Sequence, residues 1–271
     1  MSVSLGALGS IGGGTTSCTP GFPAVSAGDL LVLMVGNKYP TNGPSTPAGW
    51  TLLAQETGGN GSAGADSGTV YVTLFTKIAD GTESGTLTVS VPAANACGAR
   101  IFSFTKSSGE AFQQIRYVTM QHNTPGSTVA ATSTARMNVK NKDFLWSFTV
   151  FNTDAFTYSN QQMTMPFITT NAFSERWEGN SASGDDLAFI VCSQRVIGGD
   201  TTGFMSYTID SSGANAVSPA GASIIIGLRS SASYTNDNSS RRRYVVTRLN
   251  KKSPRMENIL EDLYEPRKGR S

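Results

Sequence analysis

The sequence predicts an all-β protein: two tandem antiparallel β-sandwich repeats of jelly-roll type, followed by an extended C-terminal tail with a short amphipathic helix. Three observations predict it. Strand-length apolar runs recur between turn residues in a chain rich in Gly, Ser and Thr. Two of these runs, Leu30–Val35 and Phe144–Phe151, each follow an Asp and lead into the same succession of smaller features. No strongly periodic helical pattern occurs before Ser253.

The 271 residues, 38% of them hydrophobic, suffice for one large or two ordinary domains, and no stretch reaches the ~18 apolar residues of a membrane span. The chain therefore reads as soluble and packed, with no span. Its first residues, Met1-Ser2-Val3-Ser4-Leu5-Gly6, lack the basic and apolar regions of a secretory signal, which argues against export by that route. Cys18, Cys97 and Cys192 are odd in number and widely spaced, so they form no complete disulfide framework and match no zinc pattern. They read as small buried hydrophobes in a chain made in a reducing cytoplasm.

In chain order, Val3–Ile11 is a weak strand, and Gly12-Gly13-Gly14 and Pro20-Gly21-Phe22-Pro23 turn the chain. Leu30–Val35, bounded by Gly28-Asp29 and Gly36-Asn37, has no polar alternation and so reads as a central strand covered on both faces. Thr46-Pro47-Ala48-Gly49 leads into Trp50–Ala54, with Trp50 as a core anchor. A glycine-rich loop, Thr57–Gly68, precedes Val70–Lys77, whose period of two puts Val70, Val72 and Leu74 on one face. After Asp80-Gly81 come Leu87–Val91, with alternating apolar residues and hydroxyls, and Ala99–Thr105, which closes the first unit.

The second unit repeats that order. Ile115–Gln121 corresponds to the weak first strand, Asp143–Phe151 to the central one, and Thr170–Ser174 to the Trp50 segment, with Phe173 in the tryptophan's place. Leu187–Cys192 follows as a long central strand, Phe204–Ile209 matches Thr86–Val91, and Gly221–Leu228 matches Gly98–Thr105. The expected divisions are residues 1–110, 111–231 and 232–271. A single jelly roll to which each repeat gives half of the strands is the alternative.

The tail differs in kind. Ser230–Ser240 is a polar linker, and from Arg241 onward ten basic residues stand against four acidic ones, so the overall charge of +2 joins a tail of +6 to a body of −4. Ser253 is a plausible N-cap with Pro254 at the first helical position, and Met256, Ile259, Leu260, Leu263 and Tyr264 then share one helix face. A helix of about 11 residues is marginal alone in water, so this stripe needs a surface. Arg241, Arg242 and Arg243 with that stripe are the candidate partner-docking residues. Phosphate contact by the arginines is less apt than a protein surface, because aromatic interleaving stops at Tyr244.

Chemistry-bearing motifs are sparse. Gly59-Asn60-Gly61-Ser62-Ala63-Gly64 spells a dinucleotide fingerprint, yet a strand follows it where a phosphate cradle opens a helix. His122 is the single histidine, which leaves neither a His-based triad nor a multi-histidine metal site, and it reads as an ordinary loop residue before the Asn123–Gly126 turn. Asp185 and Asp186 are adjacent, so in a strand their carboxylates point to opposite faces. No catalytic, cofactor or metal site is expected. Trp146, Trp177, Tyr39 and Tyr158 are the aromatics that could stack on a sugar, although Trp146 falls in a buried strand.

The succession Ala27-Gly28-Asp29-Leu30-Leu31-Val32-Leu33, Pro47-Ala48-Gly49-Trp50-Thr51 and Gly85-Thr86-Leu87-Thr88-Val89 is similar to a family of tailed-bacteriophage structural proteins. The resemblance covers residues 20–106 well and the second repeat loosely, and the tail lies outside it. It implies a non-enzymatic virion component, assembled in the bacterial cytoplasm, oligomeric, and bound to capsid, neck or tail subunits. The rival reading is a receptor-binding adhesin that recognises a host glycan.

Overall fold

The computed structural model describes residues 3–231 except 39–42, 60–63, 65–66, 93, 114, 123–127, 133–135, 141–142, 154–157, 166–167, 173, 182–186, 197–200, 204–205 and 212–219. The first half carries β1 (Ser4–Leu8), β2 (Gly12–Gly14), β3 (Ser17–Cys18), β4 (Leu30–Lys38), β5 (Thr51–Gly58), β6 (Val70–Ile78), β7 (Val89–Ser90) and β8 (Ala96–Thr105). The second carries β9 (Arg116–His122), β10 (Thr128–Thr132), β11 (Met137–Val139), β12 (Phe144–Phe151), β13 (Tyr158–Met165) and β14 (Ile168–Ala172). It continues with β15 (Ser174–Ser181), β16 (Leu187–Arg195), β17 (Thr201–Gly203), β18 (Ser206–Ser211) and β19 (Gly221–Leu228). Among the described residues there is no helix, so the body is all-β. The expected tail helix lies outside the described residues.

The duplication read from the sequence reappears as topology. The main sheet of the first half orders its strands β1-β8-β4-β6-β5, with β2 also on β8, and that of the second half β9-β19-β12-β16-β15. With β4 matched to β12 and β8 to β19, these are one sheet built twice, antiparallel throughout. The small outer pair β3–β7 has its counterpart in β10–β18, which β13 and β14 extend. Two details differ from the sequence reading. The place of β5 is held by β15, which begins at Ser174, so the Thr170–Ser174 match is displaced by several residues. Leu87–Val91 forms strand only at Val89–Ser90, although Val89 and Val91 are buried as expected.

The Asp that opens each central strand builds the same turn in both halves. In the first, Asp29 Oδ2 accepts the Ser26 N–H at 2.9 Å, Asp29 N–H donates to Ser26 O at 3.1 Å, and Asp29 O accepts from Ala79 N–H at 2.8 Å. In the second, Asp143 makes the corresponding bonds to Lys140 at 2.8 and 3.0 Å and to Val196 at 2.9 Å. Gly28 takes φ 90° in the first turn, a backbone state that a β-carbon would strain. These bonds satisfy the polar backbone at the point where the chain enters a buried strand.

β4 is buried along its whole length, as its unbroken apolar run predicts. Both faces are covered because the two main sheets pack on one another. Val32, Met34, Val72, Leu74, Phe102 and Phe104 from the first sheet share one core with Trp146, Phe148, Val150, Phe189, Val191, Ile224 and Ile226 from the second. Phe102 meets Phe148 edge to face at 5.4 Å, and Phe104 meets Trp146 likewise at 4.9 Å. β5 lies over β9 and β19, β6 over β12 and β19, β4 over β16, and β8 over β15 and β16. Most of these contacts are reciprocal: β5 on β19 mirrors β8 on β15, β6 on β19 mirrors β8 on β16, and β6 on β12 mirrors β4 on β16, as a two-fold axis between the sheets requires.

The outer face of each sheet is closed within its own half. Leu31, Leu33, Val35, Trp50, Phe75, Ala99 and Ile101 form the outer core of the first, and Met120, Val139, Leu145, Phe151, Ile190 and Ile225 that of the second. The described residues thus form two main sheets packed through a shared middle core, each closed on its outer face within its own half. Residue 110 marks the passage from one sheet to the other, and the halves are not separate bodies. Met1–Ser231 is one compact unit.

Candidate functional site

The arrangement with the most chemical potential surrounds His122. The residue stands at the end of β9 with 1% exposure, so it is no ordinary turn residue, and this corrects the sequence reading. Register places it opposite Gly221, beside Ser223. His122 Nε2 and Ser223 Oγ are 2.7 Å apart, Ser223 Oγ and Thr149 Oγ1 are 2.8 Å apart, and Ser147 Oγ continues the chain at 3.4 Å. Ser147, Thr149 and Ser223 are fully buried. A His–Ser contact of this length resembles half of a hydrolytic triad, but the surroundings suit another role. Burial pushes the imidazole down to about 4, so it stays neutral at pH 7, and Ser223 is itself fully buried. The hydroxyls and the ring satisfy one another inside the second outer core.

The equivalent place in the first half holds sulfur. Cys18 on β3 and Cys97 on β8 are both fully buried and reduced. Their thiols are hydrogen-bonded to each other. That bond and burial push the Cys18 thiol far up, while the same bond holds Cys97 below the usual thiol value. Asn37 lies opposite Cys97 in the ladder, and neither atom of its buried amide meets a partner among the described residues.

The body also carries a shallow groove of about 380 Å³ at one end of the first sheet. Leu30, Thr51, Lys77 and Ile78 come from the ends of β4, β5 and β6, and Phe112 and Ile115 from the segment that joins the halves. That segment is pinned by the end of the body. Gln113 N–H donates to Arg229 O at 3.0 Å, and Ser231 N–H donates to Ala111 O at 3.0 Å. Ile78 at 55% and Leu52 at 48% exposure add apolar surface nearby. An open groove, polar and apolar in equal measure, with Lys77 at its edge suits contact with another surface better than it suits chemistry.

Among the described residues, no group of three or more His, Cys, Asp or Glu is placed to hold a metal ion, and no helix is long and apolar enough to cross a membrane. Trp146 is buried in the shared core, and Trp177 is half-buried between Arg100 and Phe189. Tyr39, the side chain of Tyr158, and Asp185 and Asp186 lie outside the described residues. So do Arg241, Arg242, Arg243, Met256, Ile259, Leu260, Leu263 and Tyr264, the residues expected to dock a partner. Gly59 follows β5 and the chain runs from there into β6, so the fingerprint spelling sits in a strand-to-strand connection. Sequence reasoning missed the His122–Ser223 and Cys18–Cys97 contacts. Their members stand far apart in the chain, and only the strand pairing brings them together.

No protein family, curated protein or solved structure matches this chain.

Proposed function

We propose that this chain is a non-enzymatic structural component of a tailed-phage virion, a minor head, decoration or tail-associated protein. The duplicated body is displayed on the particle, and the segment Arg241–Ser271 docks on a neighbouring capsid, neck or tail subunit. What carries the reading is the use to which the phage-like motif is put. Asp29 caps a turn, Leu31, Val32, Leu33, Met34 and Val35 fill two cores, Trp50 anchors one of them, and Val89 closes it. A motif spent on turns and packing marks a scaffold, and function then resides in surfaces and appended segments. The basic, amphipathic tail supplies such a segment on a mildly acidic body.

Two measurements test this. A chain truncated at Ser240 is expected to fold and to be lost from purified particles, and unchanged incorporation would sink the docking role of the tail. Purified full-length protein is expected to bind particles or their subunits. Binding to host polysaccharide instead would establish the adhesin reading, and turnover of capsule or cell wall would establish an enzyme.

A further inference from the structure

We propose that Cys18 and Cys97 are a latent disulfide that closes when the chain meets a low-molecular-weight disulfide oxidant, stapling the N-terminal segment to the centre of the first sheet. The inference stands independently of the virion reading. Geometry carries it. β2 pairs with β8 so that Gly14 lies opposite Cys97, and the chain then reverses within a few residues into β3, which packs on β8 and pairs with β7. The reversal is tight: a β-carbon on Gly14 would stand 2.0 Å from Ser17 O and 3.9 Å from Cys97 Sγ. Cys18 is thereby laid over Cys97 in the same apolar outer core. Two cysteines packed in one cluster need their sulfurs to close only to the ~2.05 Å of an S–S bond.

The roles of the two thiols follow from their surroundings. The hydrogen bond from Cys18 holds the Cys97 thiol below its usual value, and Asn37, whose buried amide meets no partner among the described residues, lies opposite Cys97 in the ladder. Cys97 thiolate attacks one sulfur of oxidised glutathione, a mixed disulfide forms, and one glutathione thiolate leaves. Cys18 gives its proton to water and attacks the Cys97 sulfur, the Cys18–Cys97 bond forms, and the second glutathione thiolate leaves. Two protein thiols are oxidised and one glutathione disulfide is reduced, so electrons and protons balance. Cys192 takes no part, because it lies in the outer core of the other half.

Access governs the rate. Both sulfurs are sealed, and β3 is held by a two-residue ladder to β7 and by the Val91 N–H···O Thr16 bond at 2.8 Å. This cover is the least-paired layer of the first half, so oxidation proceeds through its local opening.

The test uses the full chain, incubated with oxidised glutathione and then denatured for thiol counting and peptide mapping. The expected count falls from three free thiols to one, with a Cys18–Cys97 peptide pair, and sub-denaturing urea speeds the loss. Cys192→Ser is expected to reach zero free thiols, and Cys18→Ser or Cys97→Ser to form no intramolecular bridge. Should Cys18→Ser fail to fold, the peptide map of the unaltered chain still decides. Three persisting thiols, a stable glutathione adduct, an intermolecular dimer or a bridge to Cys192 would each overturn the proposal.

Discussion

The two halves share one strand order and one entry turn, yet their outer cores are chemically unlike. Where β4 places Leu33 and Val35 on its outer face, β12 places Ser147 and Thr149. Where β8 has Ala99, β19 has Ser223, and His122 occupies the ladder position of Gly14. The first outer core is mostly apolar, with two sulfurs beside the buried Asn37 and Thr73, and the second is threaded by a hydroxyl and imidazole network. The inner faces differ in shape rather than polarity. Gly36 and Gly98 sit side by side in the first sheet and form a notch into which Phe189 inserts; a β-carbon on either would lie 2.3 or 2.6 Å from its ring. The second sheet has Val150 and Ala222 at those positions, and the first has Val72 in place of Phe189. The copies have become complementary: neither face pairs with itself as well as with the other, because one match leaves a void and the other clashes.

The largest expected effect comes from undoing that complementarity. Phe189→Val gives the second copy the residue of the first and empties the notch, at a cost of about 3 kcal/mol in urea unfolding. Gly36→Val by itself crowds the ring and costs about 2 kcal/mol. Combining the two is expected to recover part of the loss, whereas simple additivity would mean that the two residues do not share the notch.

Next comes the entry turn. Arg229 Nε donates to Asp143 Oδ1 at 2.6 Å in a nearly buried pair, which has no counterpart at Asp29 among the described residues. Asp143→Asn therefore costs about 3 kcal/mol, and Asp29→Asn about 1 kcal/mol. Equal costs would show that the ion pair adds nothing to the shared turn.

The polar outer core should add its own acid sensitivity to the body between pH 6.5 and about 4. His122 has a folded value of about 4 against an unfolded value of 6.5. The unfolded state therefore binds the proton first, and stability falls as pH drops from about 6.5 to 4 by up to about 3 kcal/mol. His122→Gln is expected to flatten that slope in urea titrations across the window. A slope unchanged by the substitution would place the acid sensitivity elsewhere.

The smallest effect is expected at the groove rim. Ile78 and Arg195 hold the same ladder position in the two copies. Since Ile78 is exposed, Ile78→Arg should change stability by less than about 0.5 kcal/mol. A larger change in thermal unfolding would mean that the residue is covered in solution.

Much of this was legible in the chain. Leu30–Val35 reads as a doubly covered strand because six apolar residues leave no solvent side, and the structure covers both faces. The duplication was legible because each Gly-Asp or Asp entry and each closing strand, Ala99–Thr105 and Gly221–Leu228, keeps its order even where individual residues drift. Val70, Val72 and Leu74 could be assigned to one face by period alone, and all three are buried. The edge strand β15 was harder to place. Its Ser174–Ser181 run carries Glu175, Arg176 and Glu178, so no apolar alternation marks it as a strand.

Local sequence thus determined the strands, the entry turns and the repeat, since these depend on periodicity and on bonds between residues a few positions apart. Tertiary structure alone decided that the two sheets share a core, that Phe189 fills a notch made by Gly36 and Gly98, and that His122 and Cys97 are sealed beside Ser223 and Cys18. Those outcomes depend on which strand lies over which and on the register between them. A glycine or a lone histidine carries no local signal of what the opposite sheet will place against it.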